Sequence, residues 1–380
     1  MKKLVFVAVS AVLLFLAGCW NYTEAENLTI VSGMSIDYED GKYKIRAEII
    51  DLSGSEKGSS SYSTSFLEGE GESISQAVSF MVSKVGHKLY WDHAEVYVIS
   101  RSVAQNGISD VIDWFLHENL VRITSLVVMS DGETASEIFD AEALTGKSVA
   151  FSLEEMLVNY SNSGDNSISR IYALINRYHN VGMTMFIPIV GGRDNAGKEL
   201  VEITGMAVFS EDYLAEEYGL SQTKSIVMLL GGNNRGEYEV DIDENVRVSV
   251  KNNKNSIDVY VGYEDGIPKA KFVVEAELLL TGISDDTYIL DAQSLDRISK
   301  CTEAQIKKEI DEVLKNDITG VRADIGGVGM RLSQKNPKVW RELSEQWQEI
   351  YAKLDYTIEV EAKIGISGQA SYLTEGKRWK

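Results

Sequence analysis

The sequence predicts an α+β protein of more than one domain, with mixed and antiparallel sheets packed against helices, behind an N-terminal signal peptide. Three observations carry that prediction. Apolar residues alternate in runs of strand length, as in Phe272, Val274, Ala276, Leu278 and Leu280. Elsewhere they recur at three- and four-residue intervals, as in Ile74, Ala77, Val78, Met81, Val82 and Val85. The strand-like runs 238–250, 256–263 and 270–283 follow one another with no helical pattern between them, which predicts antiparallel pairing. A length of 380 residues suits two or three domains. The expected division is a signal peptide at 1–18, a first domain at 19–197, whole or in two subdomains, and a second α+β domain at 201–372.

Lys2 and Lys3 precede an apolar run at 4–14, the charged and apolar regions of a secretory signal. The run is too short to read as a membrane span. Leu16-Ala17-Gly18-Cys19 follows and resembles the bacterial lipobox. In that pattern the thiol of Cys19 takes a diacylglyceryl group, and cleavage leaves Cys19 as the first residue. A thiol suits the role because it is a strong nucleophile near neutral pH. The competing reading is a plain secretory signal with a chance cysteine. With two acyl chains the anchoring is stable, and the residues after Cys19 form an extracytoplasmic domain on a lipid tether.

Residues 20–28 read as a short polar lead. A strand at 29–36, an Asp40-Gly41 turn and a strand at 42–51 predict a hairpin. Residues 53–65 hold seven serines and two glycines in thirteen positions, the composition of a loop that cannot offset its own ordering entropy. A helix capped by Ser73 and ended by Gly86 follows. A strand at 94–100, a helix at 109–116 and a buried strand at 123–129 predict a βαβ crossover. Short helices are expected at 134–139, 153–160 and 171–178, then a strand at 185–190, a polar turn at 191–197 and a strand at 201–209. In the second half, a helix is expected at 225–230, and Thr302 is expected to cap another that carries Ile306, Ile310, Val313 and Leu314. Asn336 and Pro337 start the last helix, where a proline at the first position loses no hydrogen bond. Its stripe is Trp340, Leu343, Trp347, Ile350 and Leu354, read as core. A strand from Tyr356 to Ile366 closes the chain.

The formal charge is −21, and loss of Lys2 and Lys3 leaves 35 basic against 58 acidic residues, a net −23. Such a surface repels phosphate backbones, so nucleic acid is not an expected partner. It also repels anionic headgroups, which leaves attachment to the acyl chains. With Cys19 acylated, Cys301 has no partner for an intrachain disulfide.

Catalytic patterns are absent from the sequence. There is no Walker A loop, no G-x-S-x-G elbow and no H-E-x-x-H pair, and 326–329 lacks the spacing of a dinucleotide fingerprint. No catalytic residue, cofactor or metal ligand is assigned. Asp92 with His93, bracketed by His87, is the nearest thing to a polar site, and a satisfied structural histidine explains it more simply.

Four stretches together resemble the Ger(x)C lipoproteins, the C subunits of spore-germinant receptors in endospore-forming bacteria. They are Gly18-Cys19-Trp20 with 28–37; the helix from Glu72 through Gly86-His87-Lys88-Leu89-Tyr90 to Asp113-Trp114-Phe115-Leu116; 203–209; and 324–329 with Asn336-Pro337-Lys338-Val339-Trp340. The resemblance implies a non-enzymatic germinant-receptor subunit, fixed through acylated (palmitate-bearing) Cys19 to the outer face of the inner spore membrane. It also implies partnership with membrane-embedded A and B subunits. Cys19 is the one functional position that transfers, as the lipid attachment residue. The alternative is a solute-binding lipoprotein of an importer, which needs strands and helices alternating throughout two lobes. A cell-wall hydrolase is a third, more distant reading.

Overall fold

The computed structural model describes residues 28–51, 63–143, 148–160, 169–232, 236–243, 246–285 and 290–366. Two sheets organise them. The first holds β1 (Leu28–Glu39), β2 (Lys42–Asp51), β3 (Ser63–Gly71), β4 (Lys88–Tyr90), β5 (Val96–Ile99), β6 (Leu126–Ser130), β7 (Phe186–Asn195), β8 (Lys198–Ser210) and β9 (Tyr213–Gly219). Its order is β3-β2-β1-β5-β6-β7-β8-β9, with β4 beside the start of β1. The centre, β1-β5-β6-β7, is parallel, and an antiparallel hairpin flanks each side. The expected crossover is present: β5 and β6 are parallel, with α2 (Arg101–Asn106) and α3 (Ser109–His117) between them.

Every residue of β5 and β6 is buried, because helices cover both faces. Tyr97, Ile99, Val127 and Met129 pack toward α1 (Ile74–Val85), α2, α3 and α5 (Ile171–Tyr178). Val96, Val98, Leu126 and Val128 pack toward a 3₁₀ turn at Ser136–Asp140 and toward α4 (Val149–Tyr160). The start of α1 follows the sequence reading: the Ser73 side chain accepts from Gln76 N, and Gly86 closes the helix in the left-handed conformation.

The second sheet is β10 (Glu237–Asp243), β11 (Val246–Glu264), β12 (Ile267–Ile283) and β13 (Asp355–Ile366), in that order. Its first three strands are antiparallel, whereas β13 joins β12 in parallel. One face packs on α7 (Ala292–Asn316), α8 (Val328–Lys335), α9 (Pro337–Leu343) and α10 (Trp347–Tyr351). The same core takes in Phe186, Met206, Val208 and Tyr218 of the first sheet and Ile226 of α6 (Leu220–Leu229), so the two halves share apolar packing.

Several expectations change. The turn expected at 191–197 is strand to Asn195, and the turn is at Ala196 and Gly197. The division placed at 197–201 therefore falls in a hairpin of the first sheet, which runs on to Gly219. The single run expected at 238–250 is two strands, β10 and β11. Conversely, the runs expected to end at 250 and restart at 256 are one strand, β11, which continues through 251–255 with a register shift between Asn252 and Lys254. The buried Asn252 and Asn255 pay for that passage: Asn252 Nδ2 donates to Asn255 Oδ1 at 2.7 Å, and Asn255 Nδ2 to Gly232 O at 2.9 Å. Thr302 caps nothing; it sits inside α7 and donates to Ile298 O at 2.8 Å. The cap is Asp291, in a capping box with Ser294. Cys301 is thus mid-helix and half-buried. The last helix is broken by a 3₁₀ turn at Ser344–Gln346. Residues 52–62 of the serine-rich loop and residues 161–168 lie outside the described residues; Ser63 to Ser65 begin β3.

Candidate functional site

Cys19, the predicted lipid attachment residue, lies outside the described residues, which begin at Leu28. The backbone of Leu28 pairs with Lys88, so the chain following Cys19 enters the first sheet beside β4. Asp92 and His93 do not form a site. Both are exposed, Asp92 accepts from Tyr90 Oη at 3.2 Å, and His93 stacks near the same tyrosine with ring centroids 5.7 Å apart. Among the described residues no group of three or more His, Cys, Asp or Glu is placed to hold a metal, and no helix is long and apolar enough to cross a membrane.

Two of the other quoted stretches, 28–37 and 324–329, lie instead at buried carboxylate nodes. The first joins β1 and β2 to the helices behind them. Glu48, fully buried on β2, accepts from Ser32 Oγ at 2.6 Å and caps α4 by accepting from Val149 N at 2.9 Å and Ala150 N at 3.2 Å. Asp37, at the far end of the 28–37 stretch, accepts from Ala135 N at 2.6 Å and Ser136 N at 3.2 Å and so holds the 3₁₀ turn. Burial raises the Asp37 carboxyl, and these backbone donors oppose the rise. Gly33 lets α4 approach: a Cβ there would meet Ala150 Cβ at 2.6 Å and the Phe139 ring at 3.1 Å. The second stretch is likewise packing, with Trp91, Tyr97, Trp114 and Phe115 in mutual ring contact behind α1.

The second node lies under the 324–329 stretch. Asp317 accepts from Ala323 N and Ile325 N, each at 2.8 Å, and from Tyr351 Oη at 2.7 Å. Asp324 accepts from Val328 N at 2.7 Å, Gly329 N at 2.6 Å and Trp347 Nε1 at 2.9 Å. The reversal between them uses Arg322, Asp324 and Gly327, all at positive φ. Burial drives both carboxyls up, Asp324 to about 7, against the pull of the N–H donors. The negative charge beside the Tyr351 hydroxyl adds to burial in raising that phenol well above its ordinary range. Arg331 donates to Gly326 O at 3.0 Å and Gly327 O at 3.1 Å and closes the turn from outside. Gly329 is required by contact: a Cβ would meet Trp347 Nε1 at 2.7 Å and Trp340 Cη2 at 2.8 Å.

Trp347 is core, as expected. Trp340 is half-buried and lies on Gly182 of the first half, T-shaped to Trp347 at 5.1 Å. More bonds cross between the halves here. Thr184 Oγ1 donates to Ala323 O, Asn316 Nδ2 to Tyr218 Oη at 2.9 Å, and Gln348 Nε2 to Ser210 Oγ at 2.9 Å. The buried acids are taken up by backbone and side-chain donors within their own halves, so their chemistry is to fix loops. Sequence reasoning quoted 324–329 but missed the burial of Asp317 and Asp324, because their partners Tyr351 and Trp347 lie more than twenty residues away. The start signal at Asn336-Pro337 pointed to the right place.

Residues 21–191 match the family described as spore germination protein N-terminal domain, and residues 204–368 the one described as spore germination B3/GerAC like, C-terminal. The chain is 22% identical to the putative spore germination protein YfkR of Bacillus subtilis (strain 168), over 93% of this chain and 94% of that one. It is also 22% identical to spore germination protein B3 of the same organism, covering 94% and 96%, and to its spore germination protein KC, covering 96% and 95%. Among solved structures, the crystal structure of the GerBC protein superposes with a TM-score of 0.55 at 16% identity, over 87% of this chain and 96% of that one, and so shares the α+β fold. With both halves matched in order, the chain belongs to the Ger(x)C family of spore germination proteins.

Proposed function

We propose that this protein is the lipid-anchored, non-catalytic C subunit of a spore-germinant receptor. It is held through Cys19 on the outer face of the inner spore membrane and assembled there with membrane-embedded A and B subunits. The observation that carries the reading is the order of features in one chain: a lipobox at 16–19, then both germination domains, at 21–191 and 204–368. The fate of the buried acids supports the non-catalytic part. Glu48, Asp37, Asp317 and Asp324 are each taken up by backbone or side-chain donors in closed packing, which suits a scaffold. The test is metabolic labelling with a palmitate analogue. The wild-type chain takes the label and Cys19→Ala does not; equal labelling of both would overturn the anchor.

A further inference from the structure

β1, β4, β5 and β6 run parallel, so their starts lie at one end of the first sheet. The chain from Cys19 arrives at this end, where Leu28 pairs with Lys88. Nine residue steps separate Cys19 from Leu28, a reach of at most about 30 Å at 3.3–3.6 Å per residue. α1 and α3 pack side by side and descend toward the starts of β4 and β6, so their C-terminal turns also come to this end.

The side chains exposed there are not those of an ordinary solvated rim. Phe80 on α1 is 51% exposed, Leu116 on α3 47%, and Ile123, just before β6, 54%. Tyr172, 41% exposed, is fastened beside Ile123 by its backbone N–H, which donates to Ile123 O at 3.0 Å. Lys84, one turn after Phe80 on α1, and Lys88, the first residue of β4, are both exposed. The Lys84 ammonium donates to Glu68 O of β3 at 2.6 Å. Three carboxylates of this end have partners: Glu95 pairs with Arg122 at 2.9 Å, Asp92 accepts from Tyr90, and Glu118 accepts from Leu120 N at 3.4 Å. Exposed apolar side chains beside exposed lysines, on a chain of net charge −21, fit a boundary between acyl chains and anionic headgroups.

We infer that this end of the first sheet is a membrane-facing surface that rests on an anionic phospholipid bilayer. Lys84 and Lys88 meet headgroups, and Phe80, Leu116, Ile123 and Tyr172 enter the interface. The inference builds on the lipid-anchor reading and adds an orientation: the tether holds this end of the first sheet toward the bilayer. The overall repulsion expected from net charge is overcome locally, because screening confines headgroup attraction to charges within about 10 Å of the surface.

The test uses residues 20–380, which keep every described residue and carry no acyl group, so it is independent of whether Cys19 is lipidated. The chain is sedimented with vesicles of phosphatidylcholine alone, or of phosphatidylcholine mixed with phosphatidylglycerol. The wild type partitions more strongly to the mixed vesicles, and added salt weakens it. The pair Lys84→Glu and Lys88→Glu lowers that partitioning roughly tenfold or more. Ile123→Ser with Phe80→Ser lowers binding to both kinds of vesicle, while Lys269→Glu with Lys271→Glu on the second sheet changes neither. Equal binding of wild type to the two vesicles, or equal loss from the Lys269 and Lys271 pair, would overturn the orientation. So would failure to bind vesicles alongside a germination defect in the Lys84 and Lys88 variant, an outcome that assigns this surface to a protein partner.

Discussion

Asp324 is buried and has three N–H donors, from Val328, Gly329 and Trp347. Asp324→Asn puts an amide NH2 against donors it cannot accept from, at about 1–3 kcal/mol for each group left unpaired. A drop of that size in unfolding free energy by urea titration is the expected outcome. The pH dependence has a definite sign. The folded-state pKa is raised from 3.8 to about 7, so the native state holds the proton more tightly than the unfolded chain. The contribution of this group is full below about pH 4 and is lost as pH rises through about 7. Asp317 is raised in the same direction. The advantage of wild type over Asp324→Asn should therefore shrink between pH 4 and pH 7, other groups cancelling in the comparison. Gly33 makes a separate point. Gly33→Ala places a methyl 2.6 Å from Ala150 Cβ, and overpacking of that kind costs about 1–3 kcal/mol, read as a lowered Tm.

At the scale of elements, the two tryptophans of the 336–354 stretch separate. Trp347 is buried and hydrogen-bonded, and Trp347→Ala should cost about 3–5 kcal/mol. Trp340 is half-buried across the junction of the halves, and Trp340→Ala should cost less, with the difference visible in parallel melting curves. Elements with a cap and a stripe were legible in the sequence. Ser73 with Gly86 delimits α1, and Asn336 with Pro337 starts α9, because those signals are local hydrogen-bond chemistry. What was not legible depends on distant partners. The strand through 251–255 exists because the carbonyl of Gly232 satisfies Asn255. The first ten residues of α7 were hidden because their polar character masks Leu295 and Ile298, which share the stripe of Ile306 and Ile310. Asp291→Ala tests that longer helix. Loss of its cap should cost about 1 kcal/mol, which a helix beginning at Thr302 would not register.

For the whole molecule, the α+β class and the mixed sheets follow from patterns of period two and 3.6, but the joint core does not. Phe186, Met206 and Tyr218 pack with Ile310 and Leu314, residues about a hundred positions away, and no local pattern encodes such contacts. A shared core, reinforced by Asn316 on Tyr218 and Thr184 on Ala323, makes the halves one mechanical unit. A shared core does not suit an importer's solute-binding protein, whose lobes must close on a ligand. Amino acids and sugars should leave the Tm of the chain unshifted; a clear rise with one of them would assign solute binding. The proposed role is an assembly held at a membrane, and assembly is what should be measured. The most direct measurement is affinity capture of the tagged chain from detergent-solubilised inner membranes of spores. Two multi-spanning proteins, the A and B subunits, should be recovered with the wild type in constant proportion. Recovery of the chain alone, or with the membrane components of an importer, would contradict the account.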